Sequence, residues 1–158
     1  MKFLAFLASL TVLLTACSGP VTRSPVPALE NVNLDESHWI LPESAVILAA
    51  RAAPDVIQGT FAMTVRATGT RNQLAFLNSE AEYQDQRNLT VVLEAGALVD
   101  LNRRMGGDAL AKLKGHDILV HGEAARTRID LSCRGRPTGK YYYQTQIRVT
   151  QADQIEVR

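Results

Sequence analysis

Apolar and polar residues alternate with a period of two along much of this chain, and that period sets the expected architecture. Within residues 56–68, Phe61, Met63 and Val65 alternate with smaller or polar neighbours. Gly69-Thr70-Arg71-Asn72 has the composition of a turn, and Leu74, Phe76 and Asn78 resume the alternation beyond it, so the two runs predict a hairpin. The run Leu-Thr-Val-Val-Leu at Leu89–Leu93 is apolar enough to predict a strand buried on much of both faces. The period then changes. Ala97, Leu98, Leu101 and Met105 recur at helical spacing, Gly106-Gly107 interrupts, and Asp108 is placed to cap a second helical piece carrying Leu110 and Leu113.

The segment 114–122, Lys-Gly-His-Asp-Ile-Leu-Val-His-Gly, links this helical region to the rest of the chain. Gly115 closes the helix, Ile118 and Val120 share one face of a new strand, and Gly122 lets that strand bend. Residues 126–140 read as a long loop and residues 141–150 as a strand, with Ile155 and Val157 paired along an edge at the end. The order is three strands, a helix and two strands, which predicts a small closed barrel.

At 158 residues the chain has room for one domain of ordinary size, and its composition is that of a globular protein. The first residues differ. Lys2 supplies a positive start, and the apolar run from Phe3 to Leu14 is too short to cross a bilayer comfortably, so residues 1–16 predict a signal sequence. Leu14-Thr15-Ala16-Cys17 follows at once and resembles the lipobox of bacterial lipoproteins. That resemblance implies diacylglycerol on the Cys17 sulfur, cleavage before Cys17 and a third acyl chain, such as palmitate, on the new amino terminus. Each buried methylene contributes about 0.8 kcal/mol, so two or three such chains make a lasting anchor. Ser18, in place of Asp, implies sorting to the periplasmic face of the outer membrane.

With Cys17 acylated, Cys133 is the one remaining thiol and no internal disulfide is expected. Residues 17–33 contain Pro20, Pro25 and Pro27 among small and polar residues, and they read as a tether. Residues 34–55 read as an amino-terminal arm packed on the barrel, with Trp39 as its anchor and an apolar stretch, helix or edge segment, ending at Pro54.

The element order over residues 56–158 resembles the OB-fold, a five-stranded Greek-key barrel whose helix lies between strands 3 and 4. Phe76-Leu77-Asn78, Tyr83, Leu89–Leu93, Lys114-Gly115 with Ile118-Leu119-Val120-His121-Gly122, and Ile147-Arg148-Val149-Thr150 carry the likeness, together with Gln154-Ile155-Glu156-Val157. They look like small bacterial OB-fold domains of the nucleic-acid-binding type. Such domains often place a basic residue after the tyrosine, whereas Tyr83 is followed here by Gln84-Asp85.

The net charge of +1 excludes nothing, but the distribution is uneven. From Cys17 to Asp100 acids outnumber bases by ten to five, and from Leu101 onward bases outnumber acids by eleven to six. Arg126, Arg128, Arg134, Arg136 and Lys140 crowd the predicted loop and run into Tyr141-Tyr142-Tyr143. OB-folds bind ligands with this loop, with the first hairpin loop, where Arg71 lies, and with the exposed face of the second and third strands. Guanidinium groups grip phosphate or carboxylate, and tyrosines stack on bases or sugars. Alternation points Tyr141 and Tyr143 toward the face of Ile147 and Val149, leaving Tyr142 exposed.

His121 and Glu123 share one side of their strand, but no third ligand stands nearby and the pair reads as solvated. Gly106-Gly107-Asp108 lacks the lysine and hydroxyl of a phosphate loop, and no nucleophile with a base and no cofactor motif stands out. The expectation is a non-enzymatic, envelope-anchored binding module for an anionic polymer or glycan, with nucleic acid suggested by the fold resemblance alone. The alternative is a structural protein of an envelope assembly with no soluble ligand.

Overall fold

The structure is a computed structural model that describes residues 39–158; the expected signal sequence, Cys17, the expected tether and the first residues of the expected arm lie outside the described residues. What is described is mainly β. Helix α1 (Pro42–Ala52) begins with a proline, whose fixed φ and missing N–H suit the first helical turn. It turns Ala45 and Ala49 inward, and these small side chains let it lie close against the sheet.

Seven strands follow: β1 (Ile57–Thr64), β2 (Ala67–Arg71), β3 (Leu74–Asn78), β4 (Leu89–Leu93), β5 (Asp117–Cys133), β6 (Arg136–Val149) and β7 (Ile155–Val157). Helices α2 (Ala95–Met105) and α3 (Ala109–Leu113) lie between β4 and β5. Gly106 takes φ +66°, the left-handed conformation that ends α2, and the Asp108 side chain accepts from the backbone of Leu110 and Ala111 to start α3.

The paired strands run β1-β5-β6-β4-β3-β2, with β7 on β5; β4 and β6 are parallel and every other pair is antiparallel. The ladder does not close on itself. Its two ends, β1 and β2, are joined through Val65-Arg66, where Val65 N–H donates to His116 O and Arg66 N–H to Asn78 O. Phe61, Val65, Leu77, Leu89, Val91, Leu93, Ile118, Val120, Ile147 and Ile155 fill the interior, with Leu101 and Leu113 supplied by the helices. Each such side chain contributes about 1.5–3 kcal/mol by leaving water.

The expectation of five strands meets seven because residues 56–68 divide between β1 and β2 and because the chain end adds β7. The turn predicted at residues 69–72 lies instead at Asn72 and Gln73, both with positive φ. Gly69 is within β2, paired with Phe76, and the space a side chain would take there is open. The inward residues of β3 are therefore Ala75 and Leu77 rather than Leu74 and Phe76.

The predicted loop 126–140 is a further correction. Most of it is strand, forming with residues 141–144 a long hairpin that turns at Arg134 and Gly135, φ +50° and +78°. Pairing of β5 with β1 ends at Ala124 and pairing of β6 with β4 starts at Thr145, so beyond these positions β5 and β6 pair only with each other. Tyr141 and Tyr143 do share the parity of Ile147 and Val149, but the core stops at Thr145. These two rings are 50% and 43% exposed, while Tyr142 is partly covered, the reverse of the sequence expectation.

Candidate binding groove on the sheet

Strand register decides which side chains meet on the outer face. Asn78 stands opposite Thr90 and Thr90 opposite Gln146, so one polar residue from each of β3, β4 and β6 forms a row. Phe76 lies one step along from Asn78 on the same face, and Gln144 and Tyr142 extend the row up β6. With β2 as one wall and Tyr83 from the β3–β4 loop as the other, they bound a groove of about 480 Å³. Its aromatic residues are Phe76, Tyr83 and Tyr142; its one charged residue is Arg71.

Amides hold this groove in shape. Asn88, 1% exposed, donates to Asn78 Oδ1 (2.9 Å), Thr90 Oγ1 (3.0 Å) and the Tyr83 carbonyl (3.2 Å). Its own Oδ1 accepts from Ser79 Oγ and Glu80 N–H. Thr90 donates to Asn78 Oδ1, Gln144 Nε2 to the Tyr83 carbonyl at 2.8 Å, and Gln146 Nε2 to Gln144 Oε1 at 2.8 Å. No described buried side-chain polar atom lacks a partner. Such a saturated network is rigid, because moving one member breaks bonds to several others. Burial raises the Tyr142 phenol above its ordinary pKa of 10.0, with Tyr83 adding to the shift and Arg71 opposing it. At the loop's far side Arg87 hydrogen-bonds to Asp85 and holds its carboxyl down to about 2.

The predicted binding residues do not converge. Arg71 and Tyr142 share the groove. Arg126 and Arg128 project from the opposite face of the hairpin, where Arg126 stacks on Tyr143 (3.9 Å to the ring centroid) and Arg128 on Tyr141 (4.1 Å). Arg134, Arg136 and Lys140 are exposed toward the hairpin's far end, and Cys133 is exposed beside the turn. Phe76, Asn78, Thr90, Gln144 and Gln146 were not expected as site residues.

A larger hollow of about 780 Å³ continues past Gln146 over β5 and β1, but it has no aromatic lining. Its polar groups are also engaged, Gln58 donating to Glu123 (2.8 Å) and Arg148 to Glu94 (2.9 Å). His121 lies between Thr60 Oγ1 (2.9 Å) and Glu156 Oε1 (3.1 Å) rather than beside Glu123 in a shared site. Among the described residues no group of three or more His, Cys, Asp or Glu is placed to hold a metal ion, and no helix is long and apolar enough to cross a membrane.

No protein-family model and no curated protein matches the chain. Among solved structures, it is similar to an aspartyl tRNA synthetase from Entamoeba histolytica, at 10% identity and a TM-score of 0.38, over 69% of this chain and 20% of that one. It is also similar to a protein assigned as an aspartyl-tRNA synthetase from Leishmania major Friedlin, at 9% identity and a TM-score of 0.39, over 83% of this chain and 22% of that one. The chain thus spans about a fifth of the length of these two proteins.

Proposed function

We propose that this protein is a lipid-anchored binding module of the bacterial envelope, a five-stranded barrel of OB-fold type that holds a glycan in the groove over β2, β3, β4 and β6. The barrel reading is supported by the joined ends of the strand path, by the parallel β4–β6 pair and by helices placed between β4 and β5. In this reading residues 57–71 act as one bent strand and β7 is an addition at the edge. Cys17 carries the anchor, and Ser18 after it, in place of Asp, directs the module to the periplasmic face of the outer membrane.

The observation that favours a glycan is the groove's chemistry. Aromatic faces suit the C–H faces of a pyranose, and amides and hydroxyls suit its ring of hydroxyl groups. A single-stranded nucleic acid would ask for a row of cations along its phosphates, and the groove has only Arg71. One arginine allows one acidic group on the sugar.

The test is calorimetric titration of the full chain in mild detergent with a neutral trisaccharide, a carboxylated trisaccharide and oligothymidylate, between about 50 and about 200 mM salt. A sugar should bind with a log–log salt slope no steeper than about −0.7, the value for one ionic contact on a single strand, and Tyr142→Ala should abolish the heat. Oligothymidylate binding with a slope several times steeper would replace this reading by nucleic-acid binding. Absence of binding by all three would favour the structural alternative, for which the exposed Leu41, Ile47 and Leu48, at the start of α1 and within it, offer a contact. Mass spectrometry of the natural protein tests the anchor, and an unmodified Cys17 would remove it.

A further inference from the structure

The inner face of the hairpin carries a second arrangement that the groove does not use. There Arg126, Tyr143, Arg128 and Tyr141 form a stacked ladder, with the two tyrosine rings edge to face at 5.7 Å and 82°. Arg128 is committed to Asp130 through two hydrogen bonds, at 3.0 and 2.8 Å. Arg126 has no carboxylate partner among the described residues. Stacking on Tyr143 occupies the flat face of its guanidinium and restricts its rotation, while leaving the N–H edges available.

Arg126 also lines a cleft of about 370 Å³ between the hairpin and α1. Val46 and Ala50 of α1 form an apolar side, and Gln84 and Gln86 add neutral amides. No acid lines it. A pre-oriented guanidinium with unpaired edges, in an acid-free cleft with one apolar wall, matches a planar carboxylate on a compact body. With a single cation it does not match a phosphate dianion, which would leave one charge uncompensated.

We infer that this cleft is a second binding site, in which Arg126 takes the carboxylate of a small monoanion such as a sugar acid while Val46 and Ala50 pack against its body. Tyr142 and Gln144 line both this cleft and the groove, but Arg126 enters only the cleft and Arg71 only the groove, so variants of these two arginines separate the inference from the glycan reading.

The test follows the arginine side-chain N–H signals of the full chain in detergent micelles by NMR. Glucuronate is the probe, and glucose, inorganic phosphate and chloride are the comparisons. Glucuronate should shift the Arg126 Nε–H signal saturably, at concentrations where glucose and chloride do not and phosphate does so less. Loss of a charge-assisted hydrogen-bonded pair predicts affinity weaker by about ten- to a hundredfold in Arg126→Gln. Arg126→Lys, which keeps the charge but not the planar fork, should also bind more weakly than the native chain. Arg71→Gln should leave the shift unchanged. The inference is overturned by the absence of a saturable shift, by an equal response to chloride or phosphate, or by undiminished binding in Arg126→Gln or Arg126→Lys. Because Arg126 is exposed, both variants should keep the native amide spectrum away from the cleft, which separates loss of the site from loss of the fold.

Discussion

Replacing Asn88 by alanine tests whether the amide network determines the shape of the groove. Asn88 is 1% exposed, and five hydrogen bonds meet at its side chain. After truncation, Asn78 Oδ1 keeps the Thr90 hydroxyl and the Tyr83 carbonyl keeps Gln144 Nε2. The Ser79 hydroxyl and the Glu80 N–H lose their acceptor, so two donors are left without a partner. At about 1–3 kcal/mol for each buried unsatisfied group, and with Glu80 only partly buried, Asn88→Ala should cost about 2–4 kcal/mol. For a domain of this size that lowers Tm by about 10 °C, read from thermal unfolding by circular dichroism.

Asn88→Asp sharpens the test. It restores the acceptor for Ser79 and Glu80, but it turns a second oxygen toward Asn78 Oδ1 and the Tyr83 carbonyl, so the carboxylate is repelled as well as buried. Its folded-state pKa then lies above its unfolded value, and stability lost at neutral pH returns as pH falls through that raised value. An Asn88→Asp protein as stable as the native one at neutral pH, or an alanine variant losing less than about 1 kcal/mol, would refute the argument.

Two further predictions concern single positions. Gln73 sits at φ +64° in the β2–β3 turn, where glycine is unstrained, so Gln73→Gly should raise stability by about 0.5–1 kcal/mol in urea unfolding; no gain would show that the side chain offsets the strain. In an alkaline absorbance titration, one of the four tyrosines should ionise above pH 10, and Tyr142→Phe should remove that component. Because the folded state holds this proton more tightly than the unfolded chain, the stabilisation is in full force below pH 10 and is lost as pH rises through the raised value.

Much of the architecture was legible where apolar spacing was strict. Leu89–Leu93 is buried at every position, as an unbroken apolar run implies, and Asp108 caps α3 where the interruption at Gly106-Gly107 placed it. The long hairpin was not legible as strand, because Pro137, Gly135, Gly139 and the arginines carry loop composition. The alternation of Thr127, Ile129 and Leu131 with charged residues was present, but without a core to face it had the look of solvated chain. Gly69 drew the predicted turn toward itself, although it pairs with Phe76 inside the sheet. The groove was hidden for a topological reason. Asn78, Thr90 and Gln146 come from three strands, and the parallel β4–β6 pairing that aligns the last two leaves no mark on local sequence.

The two-stranded extension of the sheet has an evolutionary consequence. Its residues contribute cross-strand pairs to one another and little to the interior, so most substitutions there leave the folding of the domain untouched. The surface chemistry of both of its faces is therefore free to diversify between species at a pace the interior does not permit. A comparison of close relatives should find variation concentrated in residues 127–143, while the strands beneath hold their composition.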